Sequence, residues 1–312
     1  MTEMKYHKPV LLRESVDGLA IREDGTYVDV TFGGGGHSRE ILGRLGPKGR
    51  LIAFDQDEEA LANKPEDERF LLIGENFRYI RQFLKFYGIL KVDGILADFG
   101  VSSHQFDRAE RGFSTRFDAG LDMRMSRRAE ITARDVVNTY SFEKLRSVLQ
   151  RYGELRSAGK IAGELVRARD KASIQTTYGL NEAVSAFLPR GKENKVLARI
   201  YQAIRMEVNQ ELAALEAFLQ QTAALLPTGG RLSLISYHSL EDRLVKRFIR
   251  TGKFEGEVDK DFYGNPLAPF RKVGKLIVPG DDELEENPRA RSAKLRIAER
   301  TDIETTDTRS VN

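Results

Sequence analysis

Four consecutive glycines follow a short apolar stretch in TYVDVTFGGGGHS (26–38), and a histidine, His37, closes the run. Glycines between a strand and a helix let a ligand lie against main-chain N–H groups at the helix N-terminus, where unpaired amides favour polar or anionic groups. Asp55 ends the next apolar stretch, RLIAFD (50–55), and a carboxylate placed there can accept hydrogen bonds from both hydroxyls of a ribose. Together the loop and Asp55 suit an adenosine cofactor. The spacing Gly33-x-Gly35 followed by Ser38 lacks the third glycine of the dinucleotide fingerprint, so NAD and S-adenosylmethionine both stay open on these residues.

Asp98 is the third group with chemical potential. It lies near the end of VDGILADFG (92–100), on the same rim of the sheet as the glycines and Asp55. An exocyclic amine of adenine or cytosine is a poor nucleophile, because its lone pair is delocalised into the ring, and an acceptor on its hydrogens orients it toward an electrophile. A hydride-transfer enzyme needs instead a proton donor beside a carbonyl, usually His, Lys or Tyr. A lone acid favours amine methylation.

Positioning these groups requires a sheet. TYVDVTF (26–32), RLIAFD (50–55), RFLLIG (69–74), VDGILADFG (92–100) and RLSLISYH (231–238) read as buried parallel strands, with helical segments between the first four. The alternation predicts an α/β fold with ligand chemistry at the carboxyl ends of the strands. It then stops: from Ser126 to Leu226 the pattern is helical, with apolar residues at three- and four-residue steps in FEKLRSVLQRYG and AGKIAGELVRARD and a long run, QELAALEAFLQQTAALL, ending at Pro227. We therefore expect a sheet domain at 1–125 and 200–312, interrupted by an all-helical domain at 126–199.

Composition limits the function classes. The chain has 312 residues and no cysteine, which excludes disulfides and thiolate metal sites and fits a reducing, cytoplasmic setting. Nothing approaches the roughly 20 apolar residues of a membrane span, and the start lacks the apolar core of a signal peptide. Net charge is only +3, but Arg124–Arg199 holds 16 Lys and Arg against 8 Asp and Glu. This basic stretch is either an ordinary solvated helical surface or a face for a polyanion.

The blocks HKPVLL (7–12), YVDVTFGGGGHSREIL (27–42), DGILADFGVSSHQFD (93–107), ERGFS (110–114), LDMRM (121–125), RYGE (151–154), GGRLSLISYHSLEDRLVKRF (229–248) and ENPRARSAKLRIAER (286–300) occur in the order found in the RsmH (MraW) family, which the chain resembles from His7 to Arg300. Members of that family are bacterial methyltransferases that use S-adenosylmethionine to methylate the exocyclic N(4) of a cytidine in the decoding region of 16S ribosomal RNA. The resemblance implies a Rossmann-like class I methyltransferase fold, the small ribosomal subunit as partner, and no metal. It also implies cofactor contacts at Gly35, Gly36, His37, Asp55, Phe77, Asp98 and Gln105. The chain departs from the family at His104, where proline is usual, at Ala119 and Gly120 before LDMRM, at Ser126, and across 192–201. These departures fall near the junction of the two domains rather than in the glycine loop.

Each remaining candidate has two readings. Asp98, Ser102, Ser103 and His238 are our candidates for orienting the amine, although His238 and Ser239 also suit a hydrogen-bonded turn opening the SLEDRLVKRF helix. Arg124, Arg127, Arg128, Arg289, Arg291 and Lys294 are candidates for RNA phosphates. Against that, Arg124 can simply pair with Asp122, and the row at 289–296 can be the solvated edge of a last strand, SAKLRIAER, with Leu295 and Ile297 facing inward. The chain is expected to act as a monomer or homodimer. Rival functions are methylation of DNA or transfer RNA, and a non-catalytic module that binds cofactor and RNA.

Overall fold

A computed structural model describes residues 9–303. Seven strands form one sheet: β1 (Thr26–Asp29), β2 (Arg50–Phe54), β3 (Phe70–Ile73), β4 (Gly94–Asp98), β5 (Arg231–Ser236), β6 (Phe270–Ile277) and β7 (Lys294–Arg300). Their spatial order is β3-β2-β1-β4-β5-β7-β6, parallel from β3 to β5, with β7 antiparallel to both β5 and β6. The helices are α1 (Leu12–Asp17), α2 (Gly36–Arg44), α3 (Glu58–Leu61), α4 (Ile80–Phe86), α5 (Ser103–Asp107), α6 (Ala133–Thr139), α7 (Phe142–Arg151), α8 (Ala158–Lys171), α9 (Thr177–Val184), α10 (Glu193–Asn209), α11 (Glu211–Leu225), α12 (Ser239–Thr251) and α13 (Asp281–Glu286). This is an α/β arrangement with a helical stretch between β4 and β5, as the periodicity predicts.

Strand alternation explains why helices cover both faces of the sheet. Val28 of β1, Ile52 and Phe54 of β2, and Ile95 and Ala97 of β4 pack on one side with Phe218 of α11 and Phe248 of α12. Tyr27, Leu51, Ala53 and Leu96 point the other way, to Val16 of α1 and Ile41 of α2. Chain order reverses between β1 and β4, which are neighbours in register Val28 to Ile95. Open α/β sheets bind ligands at such a switch point, outside the carboxyl ends of the strands.

The chain divides into a sheet unit, 1–100 with 212–312, and a helical unit, Val101–Glu211. The helical unit thus extends beyond the 126–199 read from periodicity. Phe113, Leu121, Met123 and Met125 are buried in its core with Val136, Leu165 and Ile204, so residues 101–125, expected in the sheet domain, belong to the helical unit. At the other end Val208 belongs to the same cluster.

Three elements differ from the sequence reading. DEEALANK forms only the short helix α3, capped by the Asp57 carboxylate on the Glu59 amide. FRKVGKLI forms β6, which the periodicity did not disclose because it is the sheet's outer strand, exposed at most positions and broken by a register shift between Val273 and Ile277. SAKLRIAER is not an edge: β7 lies between β5 and β6, with Leu295, Ala298 and Arg300 buried and Ile297 only partly so.

Candidate active site

The glycine loop joins β1 to α2 and uses its glycines for different reasons. Gly33 and Gly35 have φ of +52° and +75°, the left-handed region that side chains avoid, and Gly35 is the residue that opens α2. At Gly36 an added Cβ would sit 2.0 Å from Cγ of Pro9, so this glycine is fixed by packing. His37 follows, buried, with Nε2 donating to the Val10 carbonyl at 3.2 Å. Burial holds its pKa below the ordinary histidine value, against the pull of the Asp98 charge, so the ring is neutral near pH 7.

Three carboxylates line the carboxyl rim. Asp29 ends β1, fully buried; Ser38 Oγ donates to its Oδ2 at 2.6 Å and the Thr31 amide to Oδ1 at 3.1 Å. Asp55 follows β2 and accepts the Gly33 amide on Oδ2 at 2.7 Å and the Asp57 amide on Oδ1 at 2.8 Å. Asp98 ends β4; its own amide donates to Thr31 Oγ1 at 2.6 Å, and the hydroxyl of the partly buried Tyr237 hydrogen-bonds to its carboxylate. Asp98 Oδ1 is buried and accepts no hydrogen bond among the described residues. Burial pushes all three pKa values up from 3.8 to about 6. Loop amides and Ser38 oppose the rise at Asp29 and Asp55, and His37 and Tyr237 oppose it at Asp98.

The sheet unit therefore brings Asp98, His37 and Asp29 into one electrostatically coupled rim, with Asp29 coupled in turn to Asp55. Asp29 and Tyr237 were not singled out from the sequence. An acid closing an apolar strand was the available signal for Asp29, and Tyr237 sits beside the histidine that drew attention instead. Phe77 begins the turn leading into α4, partly buried, its ring 5.9 Å from Phe99 and 5.5 Å from Phe218.

His238 takes the helix-opening role. Its Nδ1 accepts the Glu241 amide at 3.4 Å at the start of α12, while the Glu241 carboxylate accepts the Tyr237 amide at 3.0 Å. Its Nε2 lies 3.0 Å from Glu241 Oε1 but out of line for a hydrogen bond. Lys294 and Arg296 converge on Asp242, at 3.4 and 2.8 Å, tying β7 to α12 rather than forming a solvated row. Arg289 and Arg291 are exposed in the turn before β7.

In the helical unit, Ser102 and Gln105 form a reciprocal cap on α5: Ser102 Oγ accepts the Gln105 amide at 3.2 Å, and Gln105 Oε1 accepts the Ser102 amide at 3.1 Å. The side chains of Ser103 and His104 lie outside the described part of the structure, as do His7 and Lys8. Arg124 binds Asp122 through two bonds of 2.8 Å and donates to the Ala129 carbonyl at 2.8 Å. Its guanidinium is thus committed to the loop, while Arg127 and Arg128 are exposed.

This rim sits within a chain that matches the model of the MraW methylase family over residues 4–301. The chain belongs to the MraW methylase family. Relatives named ribosomal RNA small subunit methyltransferase H include one from Christiangramia forsetii, 62% identical over 96% of this chain and 99% of its own length. Others come from Flavobacterium johnsoniae, at 62% over 96% and 99%, and from Bacteroides thetaiotaomicron, at 55% over 96% and 98%. The family's cofactor is S-adenosyl-L-methionine. Among the described residues of this MraW methylase no helix is long and apolar enough to cross a membrane.

Proposed function

We propose that this chain transfers a methyl group from S-adenosylmethionine to the exocyclic N(4) of a cytidine in the decoding region of 16S ribosomal RNA within the small ribosomal subunit. The observation that carries the chemistry is the orphaned Oδ1 of Asp98, a buried acceptor at the switch point of the sheet. Buried acceptors left without a donor are costly, and an N–H of the cofactor or of the substrate amine relieves that cost. The names of the relatives support the substrate class.

The residues fit the cofactor. Each Asp55 oxygen accepts one backbone amide and keeps a lone pair for a ribose hydroxyl. The glycine loop, His37 and the half-buried Phe77 ring complete the set on this unit. When bound, S-adenosylmethionine supplies a methyl group on a sulfonium, so direct displacement by the amine needs neither a metal nor a covalent enzyme intermediate. What the chain contributes is positioning and relief of positive charge on the attacking nitrogen. Asp98 performs this with Tyr237, whose hydroxyl hydrogen-bonds to the carboxylate. The target base enters by splaying or flipping from the RNA, and the basic helical unit, with Arg127 and Arg128 exposed, carries RNA affinity.

Tritium transfer from labelled S-adenosylmethionine to isolated small subunits, free ribosomal RNA, transfer RNA and DNA tests this reading. Transfer to small subunits, recovered after digestion as N(4)-methylcytidine, is the expected result. Transfer only to DNA or transfer RNA overturns it, and transfer to nothing identifies a binding module instead.

A further inference from the structure

The segment linking α12 to β6 ends in two aromatic rings that the fold leaves in water. Phe262 is 97% and Tyr263 86% exposed, with ring centroids 5.6 Å apart in an edge-on pair. The turn beneath them is built from its own bonds. The Asp261 carboxylate accepts the amides of Tyr263 at 2.9 Å and Asn265 at 2.8 Å, and the Asp261 amide donates to the Asn265 carbonyl at 2.9 Å. Lys260 and Pro266 bridge across its neck. The rings are therefore held outward by a closed turn.

The same segment is tied to a cationic helix. Arg247 of α12 donates to the Gly256 carbonyl, Phe254 stacks on Phe248 at 5.4 Å, and Lys253 pairs with Asp259 at 2.6 Å. On α12 the exposed side chains Arg243, Lys246 and Arg250 fall at i, i+3 and i+7, one face of the helix. Outward aromatics on a segment anchored to a helix that carries a row of cations match the two demands of single-stranded nucleic acid, a π-face for bases and positive charge for phosphates.

We propose that Phe262 and Tyr263, with the Arg243, Lys246 and Arg250 face of α12, form a second RNA contact that stacks unpaired bases of the substrate and lies wholly within the sheet unit. The inference rests on the RNA substrate proposed above.

The chain contains no tryptophan, so Phe262→Trp places a single fluorescent reporter at the tip. Titration with a single-stranded 12-nucleotide RNA should quench it. Phe262→Ala with Tyr263→Ala should weaken binding of that RNA by about ten- to hundredfold, the scale of lost base stacking, with S-adenosylmethionine affinity and melting temperature unchanged. Absent quenching together with unaltered RNA affinity overturns the proposal. So does loss of a dimer in sedimentation with RNA affinity intact, since the tip then serves a second copy of the chain. Methyl transfer by the wild-type protein to small subunits is measured in parallel: its absence breaks the proposed function, whereas quenching reads the tip independently of turnover.

Discussion

The rim of the sheet and the loop of the helical unit treat buried charge in opposite ways. At the rim, Asp29, Asp55 and Asp98 are carboxylates with no basic side chain in ion-pairing contact among the described residues, and burial raises each to about 6. In the helical unit, burial also pushes Asp122 upward, but its paired bonds to Arg124 bring it below the usual carboxylate range, and Thr132 does the same for Asp135. Arg111, buried, donates to the carbonyls of Arg124 and Met125, and Arg205 pairs with Glu211 at 2.8 Å. Asn209 clasps the same loop through the Met123 carbonyl and the Met125 amide. One region satisfies its charges and so fixes a conformation. The other leaves one acceptor, Asp98 Oδ1, without a donor among the described residues, which is tolerable where a ligand completes it.

The contrast is broken most severely at Asp98. Asp98→Asn keeps the shape and removes the charge, and the single-turnover rate at saturating S-adenosylmethionine should fall by about 10²-fold or more, the scale of one lost electrostatic contact. The same variant should be more stable than wild type. A carboxyl that titrates near 3.8 unfolded and about 6 folded binds its proton more readily in the fold. Its contribution is therefore intact below the unfolded value, is lost as pH rises toward 6, and is fully lost above that. The two-unit difference corresponds to about 3 kcal/mol at most. Melting curves should show the variant several degrees higher at pH 8 and equal to wild type near pH 4. A near-normal saturated rate with weakened cofactor binding would make Asp98 a cofactor ligand alone.

How much of this contrast was legible beforehand depends on where each residue sits. Apolar runs disclosed the five parallel strands because both faces of that sheet are covered, and the glycines, Asp55 and Asp98 follow from strand ends. Strand β6 was hidden because an outer strand carries no burial pattern, and its charged positions read like a loop. The pairing of Arg124 with Asp122 was one of two readings, and only geometry separates them. Ser102-x-x-Gln105 has the spacing of a capping box, and the same two residue types also suit a ligand site, so the sequence does not separate the two roles. Phe262 and Tyr263 were unreadable for a different reason: aromatic residues ordinarily mark a core, and nothing local says that these two face water.

Asp55 offers a smaller effect at the same rim. Asp55→Ala should weaken S-adenosylmethionine binding by ten- to hundredfold, since charge-assisted bonds contribute about 1.5–3 kcal/mol each. Calorimetric titration checks this, and unchanged affinity in the folded variant would remove the ribose assignment. The loss should exceed that of a simple contact, because the Gly33 and Asp57 amides that Asp55 orders would lose their acceptor together.

The smallest effect lies in the helical unit and sharpens the contrast from the other side. Replacing Arg127 and Arg128 by alanine should raise the apparent RNA constant several-fold at moderate salt and reduce the slope of log affinity against log salt by about 1.4, from two phosphate contacts at about 0.7 each on a single strand. Melting temperature and cofactor affinity should not move. Arg124→Ala should do the reverse. It removes the Asp122 pair and the donor to the Ala129 carbonyl, both partly shielded from water, and should cost about 1–3 kcal/mol of stability while leaving the salt slope unchanged. The arginines of this loop would then be separated by measurement: the partly buried Arg124 contributes to folding, and the exposed Arg127 and Arg128 contribute to binding. A shallower salt slope in Arg124→Ala, or a lowered melting temperature in the Arg127 and Arg128 variant, would show that the division drawn from exposure is wrong for this loop.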